Sequence, residues 1–481
     1  MTEELDDGQI QRVVAKYFQY VTFSHVWAGK EPSFQDVNLA NSVWNLESSP
    51  LNKKLQKFCE VVREDGYRWA WADTCCIDKT ISTVLNQSLT MMYKWFEASA
   101  ATLALLASVT SPSAPGALRE SVWMRRAWTV QELLVPKVIQ FYDCEWKPYL
   151  GDTRANHKES PEIMQELADT IGIAHETITT FHPDSLSIRE KLRLASNRYA
   201  TVEEDVAYSL IGIFKSDIRP QYGEGEAALG HLLEEIVARS GEVRVLSWAG
   251  KSSSYNSCLP ATLAVYGQTL YVPPAIDDAE MDVRVGASKI ALSRADAMVF
   301  HDQVNRLPPA RFANRRLHLP CIMFVVKRLG VQDFGSGQEH RYRARVSGIG
   351  YVEFQTSDRL SLTEPRKLVF VHPWIRDLRD PLDVFTWGGA SDGDSESESE
   401  SDPGSSSSPL QAVPSAVKMD DYTLALRLIV RLRQPFNALL LQHQPDGESK
   451  RVAAENEIVV PGLERRVNFA KDIHTDVVEI L

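Results

Sequence analysis

The chain has 481 residues, 44% hydrophobic and 24% charged, with a formal net charge of -12; these are the proportions of a globular protein with room for two or three domains. Acidity without a compensating basic stripe excludes a general nucleic-acid binder, whose phosphate contacts require clustered Lys and Arg. The acidic start MTEELDDGQIQRVV resembles no leader peptide, no apolar run reaches the roughly 18 residues of a membrane span, and six cysteines without a C-x-x-C pair suit neither a disulfide framework nor zinc, so a reducing, cytoplasmic location is expected.

Tyr20 to Trp27, YVTFSHVW, is β-branched and aromatic and predicts a buried strand closed by the turn Ala28-Gly29-Lys30. A helix follows with Ser49 as cap and Pro50 at its first position; Leu51, Leu55, Phe58, Cys59 and Val62 share one face, and Gly66 stops it. Tyr67 to Trp71 reads as the second strand, delivering Asp73, Cys75, Cys76 and Asp78 into the loop beyond it. The next helix begins near Thr83 and aligns Leu85, Leu89, Met92, Phe96 and Ala100. Ala101 to Val109 is apolar throughout, as a strand covered on both faces requires, and Val138 to Tyr142 supplies another strand. This alternation predicts a doubly wound, mostly parallel α/β domain over residues 1–150. Ligands of such sheets sit beyond the carboxyl ends of the strands, where Ser24, His25, Asp73 and Asp78 fall.

Between the last two strands lies an unusual stretch, Ser121 to Asp143. Trp123 and Trp128 bracket Arg125 and Arg126, and Glu132 precedes the apolar run Leu133 to Val135. Charge packed among rings is costly unless it is paired or used. Glu132 is therefore read either as a working acid or as a partner of Arg125 or Arg126, or a helix cap.

Residues 151–250 read as a helical extension, with cap candidates at Ser185 and Thr201 and helices in Glu203 to Phe214 and Ala227 to Arg239. The Tyr222 to Gly225 break invites a phosphate-loop reading. That reading is rejected, because Ala228 stands where a third glycine is required and Glu224 and Glu226 would repel phosphate. Residues 255–481 read as a mainly antiparallel β domain. Arg341 to Val346 and Tyr351 to Phe354 form a hairpin about Gly348 to Gly350, and Thr423 to Leu432 alternates like a further strand. Residues 391–409 carry six carboxylates and no base, and are expected to be a disordered acidic insert.

Three blocks, YVTFSHVW at Tyr20 to Trp27, WADTCCID at Trp71 to Asp78 and SVWMRRAWTVQELL at Ser121 to Leu134, resemble in order and spacing those of the fungal heterokaryon-incompatibility (HET) domain. Asn197 to Glu226 resembles the segment that follows that domain in many members. The chain departs from the family pattern at Ala28, which separates Trp27 from Gly29, at Lys79 in place of Gln, and at Ala127 in place of Gly. The resemblance implies a role in fungal non-self recognition and programmed cell death, with protein partners in a death-signalling pathway and room for a homo-oligomer. HET domains are remotely similar to Toll/interleukin receptor (TIR) domains, which implies a flavodoxin-like sheet. Some TIR domains cleave NAD with a glutamate in a Ser-x-Trp-Cys-x-x-Glu-Leu segment, of which Ser121, Trp123, Trp128, Glu132 and Leu133 look like a longer version. On that reading Glu132 is catalytic and Ser24, His25, Trp27, Asp73, Asp78, Arg126 and Trp128 bind substrate, with NAD as substrate and no resident cofactor or metal. The alternative is a non-enzymatic, oligomerising interaction module of the same pathway.

Overall fold

The β-branched run at the start of the first block forms strand β1 (Tyr20–His25), and it pairs in parallel on both sides. The computed structural model describes residues 7–274, 276–334, 340–374 and 420–481, so the acidic insert expected at 391–409 lies outside the described residues. The chain divides into two units, Met1–Ile236 with Thr262–Gly267 and Val237–Ala261 with Gln268–Leu481.

In the first unit β1 is followed by α1 (Pro50–Glu64), β2 (Trp69–Trp71), α2 (Asp73–Cys76), α3 (Ser82–Ala98), β3 (Ala101–Leu105), α4 (Thr129–Leu134) and β4 (Ile139–Tyr142). The four strands form a parallel sheet in the order β2-β1-β3-β4. Side chains alternate across it. Val21 and Phe23 pack on Leu55, Phe58 and Val62 of α1. On the opposite face the Thr22 and Thr102 hydroxyls meet at 2.7 Å. A second core there joins Leu89, Met92 and Phe96 of α3 to Trp123, Leu133 and Phe141. Ser49 caps α1 as expected, its hydroxyl accepting from the Asn52 amide at 3.1 Å.

Several local expectations are corrected. Asp73, Cys75 and Cys76 lie on the one-turn helix α2, closed by the Cys76 amide donating to the Ala72 carbonyl at 2.8 Å, and not in a loop. Strand β3 stops at Leu105, and the chain turns where the Val109 amide donates to Leu106. Ser185 is not an N-cap but the last residue of the short 3-10 turn Pro183–Ser185, its hydroxyl accepting from the His182 amide at 3.4 Å, and Thr201 caps no helix. In the helical extension α5 (Pro161–Ile171) precedes α6 (Ile188–Ser196), whose cap is Ser187 in a reciprocal box with Glu190. The next helix, α7 (Asp205–Tyr208), has Glu204 at its cap position, leaving the Thr201 hydroxyl to accept from Arg126 at 3.1 Å.

The second unit is built on a mainly antiparallel sheet, nine-stranded among the described residues. Its strands are β5 (Arg311–Ala313), β6 (Arg316–Phe334), β7 (His340–Val346), β8 (Gly350–Thr356), β9 (Leu368–Pro373), β10 (Phe436–His443), β11 (Ser449–Arg451), β12 (Ile458–Val460) and β13 (His474–Ile480). The expected hairpin is β7 and β8, in register from His340 opposite Thr356 to Val346 opposite Gly350. Thr423 to Leu432 is not a strand. It belongs to helix α8 (Asp421–Leu432), capped by Asp420, whose carboxylate accepts from the Thr423 amide at 2.6 Å. Ala425, Leu426, Ile429 and Leu432 fall one turn apart and are buried. This ten-residue segment, seven of whose residues are apolar, satisfies both periodicities, and the aspartate cap selects the helix.

Candidate functional site

In a parallel sheet of order 2-1-3-4 the chain leaves β1 in opposite directions, toward β2 and toward β3, so the crevice for ligands opens at the carboxyl ends of β1 and β3. Ser24 and His25 stand at that end, in register with Ala104 and Leu105. Their side chains point to opposite faces.

On the face of Ser24, the buried hydroxyl donates to Glu132 Oε2 and accepts from the Trp123 indole at 2.7 Å. Trp123 is itself fixed edge-on against Phe141, with centroids 5.6 Å apart. The relay therefore runs from a buried N–H through a hydroxyl to the carboxyl group of a residue only 8% exposed. Burial pushes the Glu132 carboxyl up to about 8; the Ser24 hydrogen bond opposes this, the charge of Asp73 adds to it, and Arg198 and Arg126 pull it down. Glu132 makes no ion pair with Arg125 or Arg126. Arg125 reaches Glu120 at 3.4 Å, and Arg126 spans Thr201 and the ring of Tyr199. Nor does Glu132 cap its helix, since it lies inside the first turn of α4.

Helix α4 is held at both ends by basic side chains, the half-buried Arg198 and the buried Lys158. At its start Arg198 donates to the Arg126 carbonyl at 3.1 Å and to the Thr129 hydroxyl at 2.6 Å. Thr129 in turn donates toward the carbonyls of Trp123 and Arg126, each at 2.8 Å. Backbone bonds between Tyr199 and both Arg125 and Ala127 complete the clasp. At the other end the Lys158 ammonium donates to the carbonyls of Leu134 and Pro136, and burial lowers its pKa to about 7. Trp128 acts on a second carboxyl group: its indole N–H helps hold down the pKa of Asp205, which burial raises.

On the face of His25, the imidazole stacks on Phe23 at 4.1 Å. Burial, then the charges of Lys54 and Lys79, keep it neutral, well below its ordinary range. Neither ring nitrogen has a hydrogen-bond partner, although Glu31 Oε2 lies 4.0 Å away. A buried imidazole with both nitrogens unpaired is an exception among buried polar groups. Glu31 pairs with Lys54 at 2.5 Å. Asp73 is half-buried, and desolvation raises its carboxyl against the pull of Lys79 and the Trp27 indole. Lys79 donates to the Asp73 carbonyl at 2.8 Å and sits 4.0 Å over the exposed Trp27 ring. Asp78 stands apart. Its carboxylate is committed to the Thr80 amide and hydroxyl and to Gln35, a turn-type arrangement.

The structure thus gathers Ser24, Glu132 and Arg126 about one edge, within the field of Asp73, with His25 on the other face of the sheet and Trp27 beside Asp73 and Lys79. Sequence reading missed Glu31, Lys54 and Arg198. Arg198 falls inside Asn197 to Glu226, so the resemblance carried a signal for it that composition did not. The glycine-containing loop of that segment serves the protein itself: the Gly223 and Gly225 amides donate to Glu204 at 2.8 and 3.0 Å, where a phosphate would otherwise sit. Among the described residues no cluster of three or more His, Cys, Asp or Glu is placed to hold a metal, and no helix is long and apolar enough to cross a membrane.

Residues 20–117 match the family model described as Heterokaryon incompatibility protein (HET). Over 247 residues the chain is 32% identical to the vegetative incompatibility protein HET-E-1 of Podospora anserina, an alignment covering 49% of this chain and 17% of that relative. The chain therefore spans under a fifth of the length of the curated relative it matches. No solved structure matches it.

Proposed function

Starting from a chain that carries a HET domain in its first unit, we propose that this protein acts in fungal heterokaryon incompatibility and triggers cell death by cleaving NAD at Glu132. The single observation that carries the reading is the buried Glu132 carboxyl, bound to Ser24 at the carboxyl end of β1 and pushed up to about 8. A group so costly to bury, in the crevice that doubly wound sheets use for ligands, is better explained by use than by packing.

The bond between ribose and nicotinamide breaks with both electrons leaving on the ring nitrogen, which thereby becomes neutral. The ribose is left as an oxocarbenium ion that water then traps. No acid is needed for such a leaving group; a fixed negative charge beside the forming cation is. Glu132 holds a proton at neutral pH in the free protein. The cationic ring of NAD favours its ionised form, so binding releases that proton and delivers the carboxylate where charge develops. Ser24 and Trp123 orient the carboxyl group, and Arg198 with Lys158 fixes the helix that bears it. His25 and Trp27 are proposed to contact the substrate from across the sheet.

The competing reading is an interaction module that signals without chemistry. Induced expression in a fungal host, with viability and NAD measured together, separates the two. Cleavage predicts that NAD falls before viability and that Glu132→Gln abolishes both effects. Death at constant NAD, or death undiminished in Glu132→Gln, would reject the enzymatic reading in favour of the module.

A further inference from the structure

Within the first unit lies a cavity of about 470 Å³ whose lining residues include Arg119, Arg125, Arg193 and Arg198 but not Glu132. Four guanidinium groups about one cavity are unexpected in a chain with a net charge of -12. None of its lining residues is acidic. Arg193 and Arg198 are held rigidly. Arg193 donates to the carbonyls of Ile171 and Gly172 at the end of α5, at 3.1 and 2.7 Å. Arg198 is anchored on the carbonyls of Leu194 and Arg126. Arg193 uses two of its five N–H donors in these bonds and keeps three for a ligand.

Arg119 and Arg125 form the exposed rim, their side chains 59% and 58% accessible to solvent. Both lean on the single carboxylate of Glu120 at 3.4 Å, an exposed pairing that water and salt weaken. An incoming anion can therefore take both at little cost. The remaining wall is partly apolar, through Met124, Ile171 and Leu194. Its volume falls in the roughly 300–1,000 Å³ range of small-molecule sites and far exceeds that of a bare phosphate ion. Guanidinium groups match phosphoryl oxygens two at a time, which favours phosphate over a less charged anion.

We propose that this cavity binds a small organic phosphate, with the phosphoryl group held by Arg119, Arg125 and Arg193 and the carbon skeleton against Met124, Ile171 and Leu194. Arg198 connects the cavity to the segment carrying Glu132, because this lining residue donates from its guanidinium to the Thr129 hydroxyl of α4. An occupant of the cavity thus touches the group that clamps the helix of the candidate site.

The test is titration calorimetry on the full chain with phenyl phosphate, which carries the phosphoryl group and an apolar ring but is no fragment of NAD. Orthophosphate is the second ligand and Arg119→Ala/Arg125→Ala the variant. The rim arginines pack nothing in, so the variant is expected to unfold at the same urea concentration as the parent. Phenyl phosphate should bind below millimolar, at least roughly tenfold more tightly than orthophosphate, and should weaken at least roughly tenfold in the variant and on raising salt. Absence of binding, or equal binding by parent and variant, would overturn the site. Orthophosphate binding as tightly as phenyl phosphate would overturn the organic ligand.

Discussion

Burying Glu132 has a thermodynamic signature that Glu132→Gln should erase. Glu132 is 8% exposed, and burial pushes its carboxyl up to about 8 when folded against an ordinary 4.5. Between those values the folded chain keeps a proton that the unfolded chain has released. The stability this proton confers is fully present below pH 4.5 and declines by about 1.4 kcal/mol per pH unit until the folded group ionises near 8. From about pH 6 to about pH 8 the loss is on the order of 2 kcal/mol. Glutamine does not titrate, yet its amide oxygen still accepts from Ser24, so the variant lacks the decline while keeping the hydrogen bond. Urea unfolding followed by tryptophan fluorescence reports chiefly on this region, since eight of the eleven tryptophans precede residue 150. The variant should gain on the parent by about 1 M in midpoint over that range, given the usual urea sensitivity of 1–3 kcal/mol per M. Parallel pH dependences for parent and variant would refute a buried, proton-holding Glu132.

Other expectations follow from the same contacts. Ser24→Ala removes the hydroxyl that lowers the Glu132 pKa, so the pH at which Glu132 ionises should move upward, with a loss of about 1–3 kcal/mol in stability, both read from unfolding across pH. Thr129→Val preserves shape but strips Arg198 of a 2.6 Å acceptor, and should cost about 1–3 kcal/mol in the same assay. In the second unit the Arg451 guanidinium is buried over the Trp248 ring at 3.7 Å and donates to the carbonyls of Leu246 and Trp248; Arg451→Met leaves those carbonyls without their donor and should destabilise that unit by about 1–3 kcal/mol, measurable by hydrogen exchange of β10 and β11.

Much of the first unit was legible in the sequence because its signals are local. Ser49 before Pro50, the Leu55, Phe58 and Val62 stripe, and the apolar run at Ala101 each admit one secondary structure. The Thr423 to Leu432 run admits two, and the deciding residue, Asp420, stands outside the run. The candidate site was half legible. Glu132 stood out as a carboxylate among aromatic rings, but its partner was not the neighbouring arginines. The guanidinium that clamps its helix comes from Arg198, some 70 residues further along, and the hydroxyl comes from Ser24 on β1, and neither meeting has a sequence period to announce it. Burial decides the rest: the position of His25 at the end of β1 is legible, but that both of its nitrogens lack a partner is not.

The most direct test is nicotinamide release from NAD by the purified chain, measured as kcat/KM across pH for the parent and Glu132→Gln. If the ionised Glu132 carboxyl stabilises the ribosyl cation, kcat/KM rises with pH to a plateau with a midpoint near 8, where the free protein's carboxyl ionises, and the variant is inactive at every pH. Equal release by parent and variant, or a rate indifferent to pH across that range, would contradict a catalytic Glu132.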